Sequence, residues 1–556
     1  MQINNHKIIQ KKESSQDKMV KGSMWMTAGS IFSRILGAIY IIPWRLMFGI
    51  LLYYQANALY VQGYNVYSFF LIISIAGIPS AIAKQVAHYN ALNEYNVGVT
   101  LYKKGMLLAA VTGIICALIL YFGAPLLMLT NNNDANIIPV MHSLAWAVLI
   151  IPIMSVTRGY FQGYQDMAPS AISQFTEQLA RVAYMLLMTY LIMRVFHGSW
   201  VSAVSQSTFA AFIGAVFGIA ILGVYYFKRR DYYRELRENS NNDVHVNSSR
   251  LYREILQQAV PFIILGAGIT IFQLIDQLTF FKLMDFFRGY SNFVLNELYT
   301  IFAGNANKLI MITISLSSAL AVTVVPLLSE AHTHHDTNSV RKEITNGMLM
   351  FEFVMLPASL GMAAVAGPIY RVFYGNDNNA FSANILSFSS IIAISFGIFT
   401  VASAIMQGIG QNKRAVKYFI IGTIVKILTQ APLIYFFGTF GPLISSGLGF
   451  MVANYLIFRS LNHQYHLNLA LAAKKTNRIL LYSILTYLAA LIMVWIENRL
   501  IGRFVNVYNS KISLIITIVA ALVGGFVYIY CTLKTRLADQ ILGSKVAKLR
   551  TFLKIK

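Results

Sequence analysis

The sequence predicts an all-α polytopic membrane protein. It should have about fourteen transmembrane helices, arranged as two pseudo-repeated six-helix lobes followed by a C-terminal helix pair. Three observations carry this reading. Apolar runs of about twenty residues recur from Gly22 to Leu533, and a helix needs roughly 20 residues to span a hydrocarbon core ~30 Å thick. The chain is 57% hydrophobic and only 12% charged, with a mean hydropathy of +0.59, which excludes a soluble globule. Its net charge of +23 is also distributed by side: with fourteen spans, one side collects 32 of the 44 Lys and Arg residues and the other 7. That asymmetry is the positive-inside pattern, with both termini cytoplasmic. The excess base sets topology and attracts anionic lipid headgroups, so no nucleic-acid partner is needed to explain it.

Taken in order, residues 1–21 are a polar, basic cytoplasmic tail. No small-residue cleavage site follows, so the first span reads as uncleaved. Spans at 22–50, 60–84, 104–126, 136–158, 169–193 and 201–227 make an N-lobe, 22–227. The longest polar stretch, 228–254, holds Asn239-Ser240-Asn241-Asn242 among mixed charges, the composition of a solvated cytoplasmic linker. Spans at 255–281, 298–328, 346–367, 383–406, 415–436 and 441–458 make a C-lobe, 255–460. A cytoplasmic loop, 461–477, leads to the pair 478–496 and 512–533, within 478–533, and 534–556 is a basic cytoplasmic tail. Pro79, Pro152, Pro261, Pro326, Pro357 and Pro432 lie inside spans and permit bends. Cys116 and Cys531 sit in apolar segments and predict no structural disulfide.

Short matches suggest a duplication. Gln162-Gly163 recurs as Gln407-Gly408 after 245 residues, Pro79 as Pro326 after 247, and Gly105-Met106-Leu107 as Gly347-Met348-Leu349 after 242. Six helices per half gives both halves one orientation, the parallel-repeat plan of transporters that rock around a central site.

Charges inside the spans are costly, at least ~3 kcal/mol for an arginine facing lipid, and mark candidate function. Arg34 lies mid-span in the first helix; Glu177 and Arg181 share a face of the fifth at i and i+4. Asp276, Lys308, Glu352 and Lys426 lie in the seventh, eighth, ninth and eleventh, and Arg45 is near the end of the first, within snorkelling reach of the interface. The structural alternative is internal pairing: Glu177 with Arg181, and Asp276 with Arg34 or Lys308. Lys426 and Glu352 are placed near the cytoplasmic ends of their helices, where pairing suffices. Arg34 and Lys308 are assigned to an anionic headgroup, which guanidinium grips bidentately and ammonium holds as a point charge.

His332-Thr333-His334-His335-Asp336 has metal-ligand residue types but lies in a solvated loop, and no metal or other cofactor is expected. No nucleophile elbow or phosphate-binding loop occurs, so no enzymatic activity is expected.

Phe32-Ser33-Arg34-Ile35-Leu36-Gly37 resembles the first-helix motif of MurJ-type lipid II flippases, in the multidrug/oligosaccharidyl-lipid/polysaccharide exporter superfamily. The stretches Ala58 to Tyr64, Gly77-Ile78-Pro79, Tyr89 to Leu92, Arg158 to Gly163 and Pro169 to Arg181 are similar to its YtgP/SpoVB-like branch. The resemblance runs from about Val20 to the last helix. It implies fourteen helices, a lipid-side groove at the last two, and alternating access for an undecaprenyl-diphosphate-linked glycan. The family's first-helix arginine corresponds to Arg34 and its eighth-helix base to Lys308, while a second arginine of proteobacterial members is Tyr40 here. A diphosphate and sugar cavity is assigned to Arg34, Lys308, Asp276, Glu177 and Arg181. Coupling to membrane potential, H+ or Na+ is open, with Asp276, Glu177 and Glu352 as candidate ion sites.

The leading substrate is the peptidoglycan precursor lipid II. Within the superfamily the alternatives are a teichoic-acid or exopolysaccharide repeat unit and a cation-coupled drug export function. The drug-export alternative predicts twelve helices and a carboxylate-rich cavity. From another class, a membrane glycan polymerase would need a substantial catalytic loop, and the outer gaps near 282–297, 368–382 and 497–511 are only about fifteen residues.

Overall fold

The structure, a computed structural model, describes all residues except 1–32, 34–35, 76, 131–133, 242–259, 262, 334–335, 377–378, 501–508, 543–549 and 551–556. Among the described residues the regular structure is entirely helical. Residues 36–48 form α1. Gly49, at φ 74° and ψ 174°, breaks it from α2 within the run Ile41–Ile75. Glycine reaches this positive φ without a Cβ clash, so two helices meet at one residue with no loop. This corrects the gap expected between residues 50 and 60: that stretch is already α2, with Tyr53 and Tyr54 buried. Beyond a bend at Gly77, α2 continues as Ile78–Ala91.

The N-lobe is completed by α3 (Tyr95–Thr130), α4 (Ile137–Gly163), α5 (Ala168–Tyr190, with a π-helical turn at Leu191–Val195) and α6 (Trp200–Lys228). The C-lobe holds α7 (Gly268–Arg288) and α8, which runs as Asn292–Tyr299, a π-helical stretch Thr300–Ala306, and Asn307–Thr333. It continues with α9 (Thr337–Ala364, followed by the short helix Ala366–Tyr374), α10 (Asn379–Gly408), α11 (Asn412–Phe437) and α12 (Gly441–Tyr465). The final pair is α13 (Leu469–Leu500) and α14 (Ser510–Lys534), with Tyr528 of α14 donating to the Phe353 carbonyl of α9 at 2.7 Å. Ten described stretches are long and apolar enough to cross a membrane, and two of them, Leu36–Ala91 and Asn412–Tyr465, each contain two helices. Leu107, Phe122, Phe436 and Phe526 project from these helices exposed, as a lipid-facing surface requires.

The duplication is visible in the packing. Gly105 of α3 faces Ile82 of α2, and Gly163 of α4 faces Val86 and the Ala83 carbonyl. In the other half, Gly347 of α9 faces Val324 of α8, and Gly408 of α10 faces Leu328 and the Val325 carbonyl. Each α2 partner recurs in α8 after 242 residues. A Cβ at Gly163 would lie 2.6 Å from Val86, so the close helix approach depends on the small residue. Gly289, at φ 62°, ends α7 as Gly49 ends α1, 240 residues earlier. Glu94 precedes α3 and Asp336 precedes α9, again 242 apart. Asp336 caps α9, accepting from the amides of Asn338 and Ser339, both at 3.0 Å. The acid of the histidine-rich run is therefore a helix cap; His334 and His335 lie outside the described residues.

The linker expected to be solvated folds in part. Arg230–Glu238 is a helix whose Tyr233, 2% exposed, packs on Tyr164 with ring centroids 5.1 Å apart. Arg229 pairs with Asp166, and Asn93 donates to the Asn239 carbonyl at 2.9 Å. Average composition conceals this because one tyrosine at the right register anchors an otherwise charged segment.

Candidate functional site

A cavity of about 500 Å³ lies between α1, α2, α5, α7 and α8. Its lining includes Tyr40, Tyr60, Tyr64, Gln178, Arg181 and Lys308, with no Asp or Glu among the described residues. Lys308 Nζ donates to Asn57 Oδ1 at 3.0 Å and lies 5.1 Å from the Tyr60 ring centroid and 5.6 Å from that of Tyr40. The Arg181 guanidinium lies 5.1 Å over the Tyr64 ring, with Nη2 3.4 Å from the Tyr60 hydroxyl. Among the described residues neither cation has a carboxylate within ion-pair distance. Aromatic faces and neutral acceptors favour a cation without cancelling its charge, so the cavity keeps a positive field for an anion.

One end of the cavity is sealed between the lobes. The π-helical stretch of α8 carries Asn305, whose Oδ1 accepts from the Tyr53 hydroxyl at 2.6 Å and from Asn57 Nδ2 at 3.0 Å. Its Nδ2 donates to Tyr370 at 2.7 Å, and its carbonyl accepts from Tyr374 at 3.1 Å. A π-turn inserts an extra residue and re-aims the following side chains, a distortion frequent at functional sites. Asn57 thus joins the seal and Lys308, one turn farther along α8. A second lobe contact runs from Asn65 Nδ2 to Gln277 Oε1 at 3.3 Å and from Gln277 Nε2 to the Gln62 carbonyl at 3.2 Å.

The residues singled out in the sequence separate into three places. Lys308 and Arg181 share the cavity. Arg34 lies outside the described residues, while Gly37 and Ala38 of α1 line the cavity. Glu177 does not pair with Arg181, correcting that alternative. Its Oε2 is 2.7 Å from Arg158 Nη2, and Arg158 also donates to Ser173. Arg158, at the end of the expected span 136–158, lies inside α4, which runs on to Gly163. Asp276 meets neither Lys308 nor any described arginine. Its Oδ1 accepts from Lys426 Nζ at 2.6 Å and from Gln430 Nε2 at 2.9 Å. Lys426 is fully buried, also donates to Ser446 at 2.7 Å, and stands about 21 Å along α11 at 1.5 Å per residue. That corrects its expected position at a helix end. Glu352 accepts from Thr476 at 2.5 Å and ties α9 to α13, away from the cavity.

Sequence reasoning that searched for charge passed over the neutral groups: Tyr40, Tyr60, Tyr64, Asn57 and Asn305. The two asparagines are not repeat equivalents, since they sit 248 residues apart and the packing of α2 and α8 repeats after 242, so the sequence held no signal for them.

A family model described as polysaccharide biosynthesis protein matches residues 19–332. The chain is 33% identical over 540 residues to the lipid II flippase MurJ of Bacillus subtilis (strain 168), covering 95% of this chain and 97% of that protein. This chain belongs to the MurJ lipid II flippase family. It is also 23% identical to the B. subtilis membrane protein YabM over 95% of this chain and 96% of that one. Among solved structures, lipid II flippase MurJ in an inward closed conformation matches with a TM-score of 0.61 at 13% identity, covering 91% of this chain and 98% of that one. An inward-facing multidrug resistance MATE family transporter matches at 0.57 and 14% identity, over 77% and 98% of the two chains. The MurJ-type fold, two packed lobes plus two helices, is therefore established for this membrane protein.

Proposed function

We propose that this chain flips a lipid-linked glycan across the cytoplasmic membrane by alternating access, with the undecaprenyl-diphosphate-linked precursor lipid II as its substrate. The observation that carries the reading is a cavity holding Arg181 and Lys308 with no described carboxylate in its lining. A diphosphate-sugar head cannot cross hydrocarbon unaided. A cationic cavity lowers that barrier while the prenyl chain stays in lipid. Arg181 offers a planar fork to phosphate oxygens, Lys308 a point charge, and the arginine expected from the first-helix motif, Arg34, a second fork. The tyrosines leave apolar faces for sugar rings. No bond is made or broken, so no catalytic residue is assigned.

The positive-inside distribution supports cytoplasmic termini and puts the Asn305 seal at the outer end, with loading from the cytoplasmic side. An inside-negative potential favours outward movement of an anionic head by about 2.3 kcal/mol per charge per 100 mV. Ion coupling, if H+ or Na+ is used, falls on Asp276, because neutralising its carboxylate releases Lys426. Glu177 and Glu352 serve as braces.

A teichoic-acid or exopolysaccharide carrier presents the same diphosphate, and the cation set alone accepts both. Depletion of the protein while probing lipid II on the outer leaflet separates them. Lipid II should accumulate inside and vanish outside, and Arg34→Ala should fail to restore it. Unchanged lipid II export with loss of another surface polymer would transfer the assignment to that polymer.

A further inference from the structure

A second concavity, of about 1130 Å³, opens where α11 begins and α12 ends. Lys413 and Arg414 enter it from the first turn of α11, and Arg459 and His463 from the last turns of α12. No acid lines it among the described residues. Lys413 and Arg459 have no described carboxylate within ion-pair distance, and Arg414 meets only the Gln411 amide oxygen, at 3.4 Å. Tyr418 and Leu456 add an apolar wall.

The duplicated corner of the N-lobe shows what this arrangement lacks. Gly163 ends α4 as Gly408 ends α10, and Asp166 stands 245 residues before Gln411. There Arg229 closes on Asp166 and Tyr233 fills the corner. In the C-lobe, Gln411 donates to the neutral Gln464 instead, and Lys413 and Arg414 replace Ala168 and Pro169. The fold therefore plugs and neutralises one copy of the corner and leaves the other open and cationic. Basic residues at cytoplasmic helix ends serve topology in general. Convergence from two helices on one concavity, beside an apolar wall, is a further property that topology does not require.

We infer that this concavity binds the phosphate of an anionic lipid headgroup, at the level where the helices leave the bilayer. The same chemistry would accept a soluble phosphate compound, and the experiment distinguishes them. The inference does not rest on the substrate assigned to the central cavity.

The purified full chain is titrated with phosphatidylglycerol, phosphatidylcholine and inorganic pyrophosphate, with occupancy followed by native mass spectrometry. The triple variant Lys413→Gln/Arg414→Gln/Arg459→Gln is compared with Lys474→Gln/Lys475→Gln, which changes two bases elsewhere, at the start of α13. Phosphatidylglycerol should bind in preference to phosphatidylcholine and weaken about 100-fold in the triple variant, at roughly 1 kcal/mol per base. The control variant should bind as the parent does. Pyrophosphate that binds through the same three bases while phosphatidylglycerol does not would assign the soluble source and overturn the lipid one. Equal binding of the two lipids, or equal loss in both variants, would overturn the site.

Discussion

The two lobes place a cation at matching points of α5 and α11 and treat it oppositely. Arg181 and Lys426 stand 245 residues apart, the offset that also relates Gly163 to Gly408. In the C-lobe, Lys426 is fully buried and held by Asp276 at 2.6 Å. In the N-lobe, Arg181 faces the cavity over a tyrosine ring, with no described carboxylate within ion-pair distance. One scaffold position thus carries a neutralised pair in one copy and an unneutralised cation in the other. A charge inside a span therefore does not by itself announce transport. Its partner on the neighbouring helix decides whether it holds helices together or holds a ligand.

The largest effect should follow from disturbing the closed pair. Asp276→Asn leaves a buried ammonium without its counter-charge and should destabilise the protein by about 3–5 kcal/mol, seen as early unfolding in a detergent melt. The double change Asp276→Leu/Lys426→Met should recover most of that loss, because two apolar groups need no compensation. A single variant as stable as the parent would remove the contrast between the lobes.

Next comes the open side. Lys308→Ala and Arg181→Ala should each lower outer-leaflet delivery of the lipid-linked substrate about 100-fold while the melt stays near that of the parent, since neither cation neutralises a described carboxylate. Lys308→Arg should restore part of the activity.

The N-lobe can be given the C-lobe's solution. Gln178→Glu puts a carboxylate one turn before Arg181 on the cavity wall. It should reduce transport by about tenfold with no loss of stability, because a local acid then competes with the anionic head. Unchanged transport would show that Arg181 does not meet the substrate.

The smallest effect concerns Asp336, the C-lobe counterpart of Glu94. Hydrogen bonds from the Ser339 hydroxyl and amide, and from the Asn338 amide, hold its carboxyl below the ordinary range. A depressed value means that the cap contributes fully above the ordinary carboxylate pKa and is lost as pH falls through the lowered one. Amide exchange in the first turn of α9 should rise with acidification over that window, and Asp336→Ala should abolish the dependence.

Helix number and the six-plus-six-plus-two order were legible because hydropathy is a local sum over about twenty residues, and charge asymmetry adds up from gap to gap. The duplication was legible at Gly105 and Gly347, where close packing demands a small side chain in both copies. Lys308 and Arg181 were legible as cavity residues because an unpaired charge in a span must avoid lipid. The partners were not. Glu177 and Arg181 have ideal helical spacing, yet Arg158 reaches Glu177 from α4; spacing within one helix says nothing about a competitor on the next. Lys426 was read as internally paired, and it is, but its partner Asp276 lies 150 residues away in sequence and could not be named. The break at Gly49 escaped because glycine is common in membrane helices, and only its positive φ marks this one as a corner.

By itself the sequence determined that the chain crosses a membrane many times, in two related halves, with a handful of expensive charges between them. Tertiary structure alone decided which charges cancel and which face a cavity. The physical reason is range: burial of an apolar span is settled within one helix, whereas the fate of a buried charge depends on a group a few ångströms away on another.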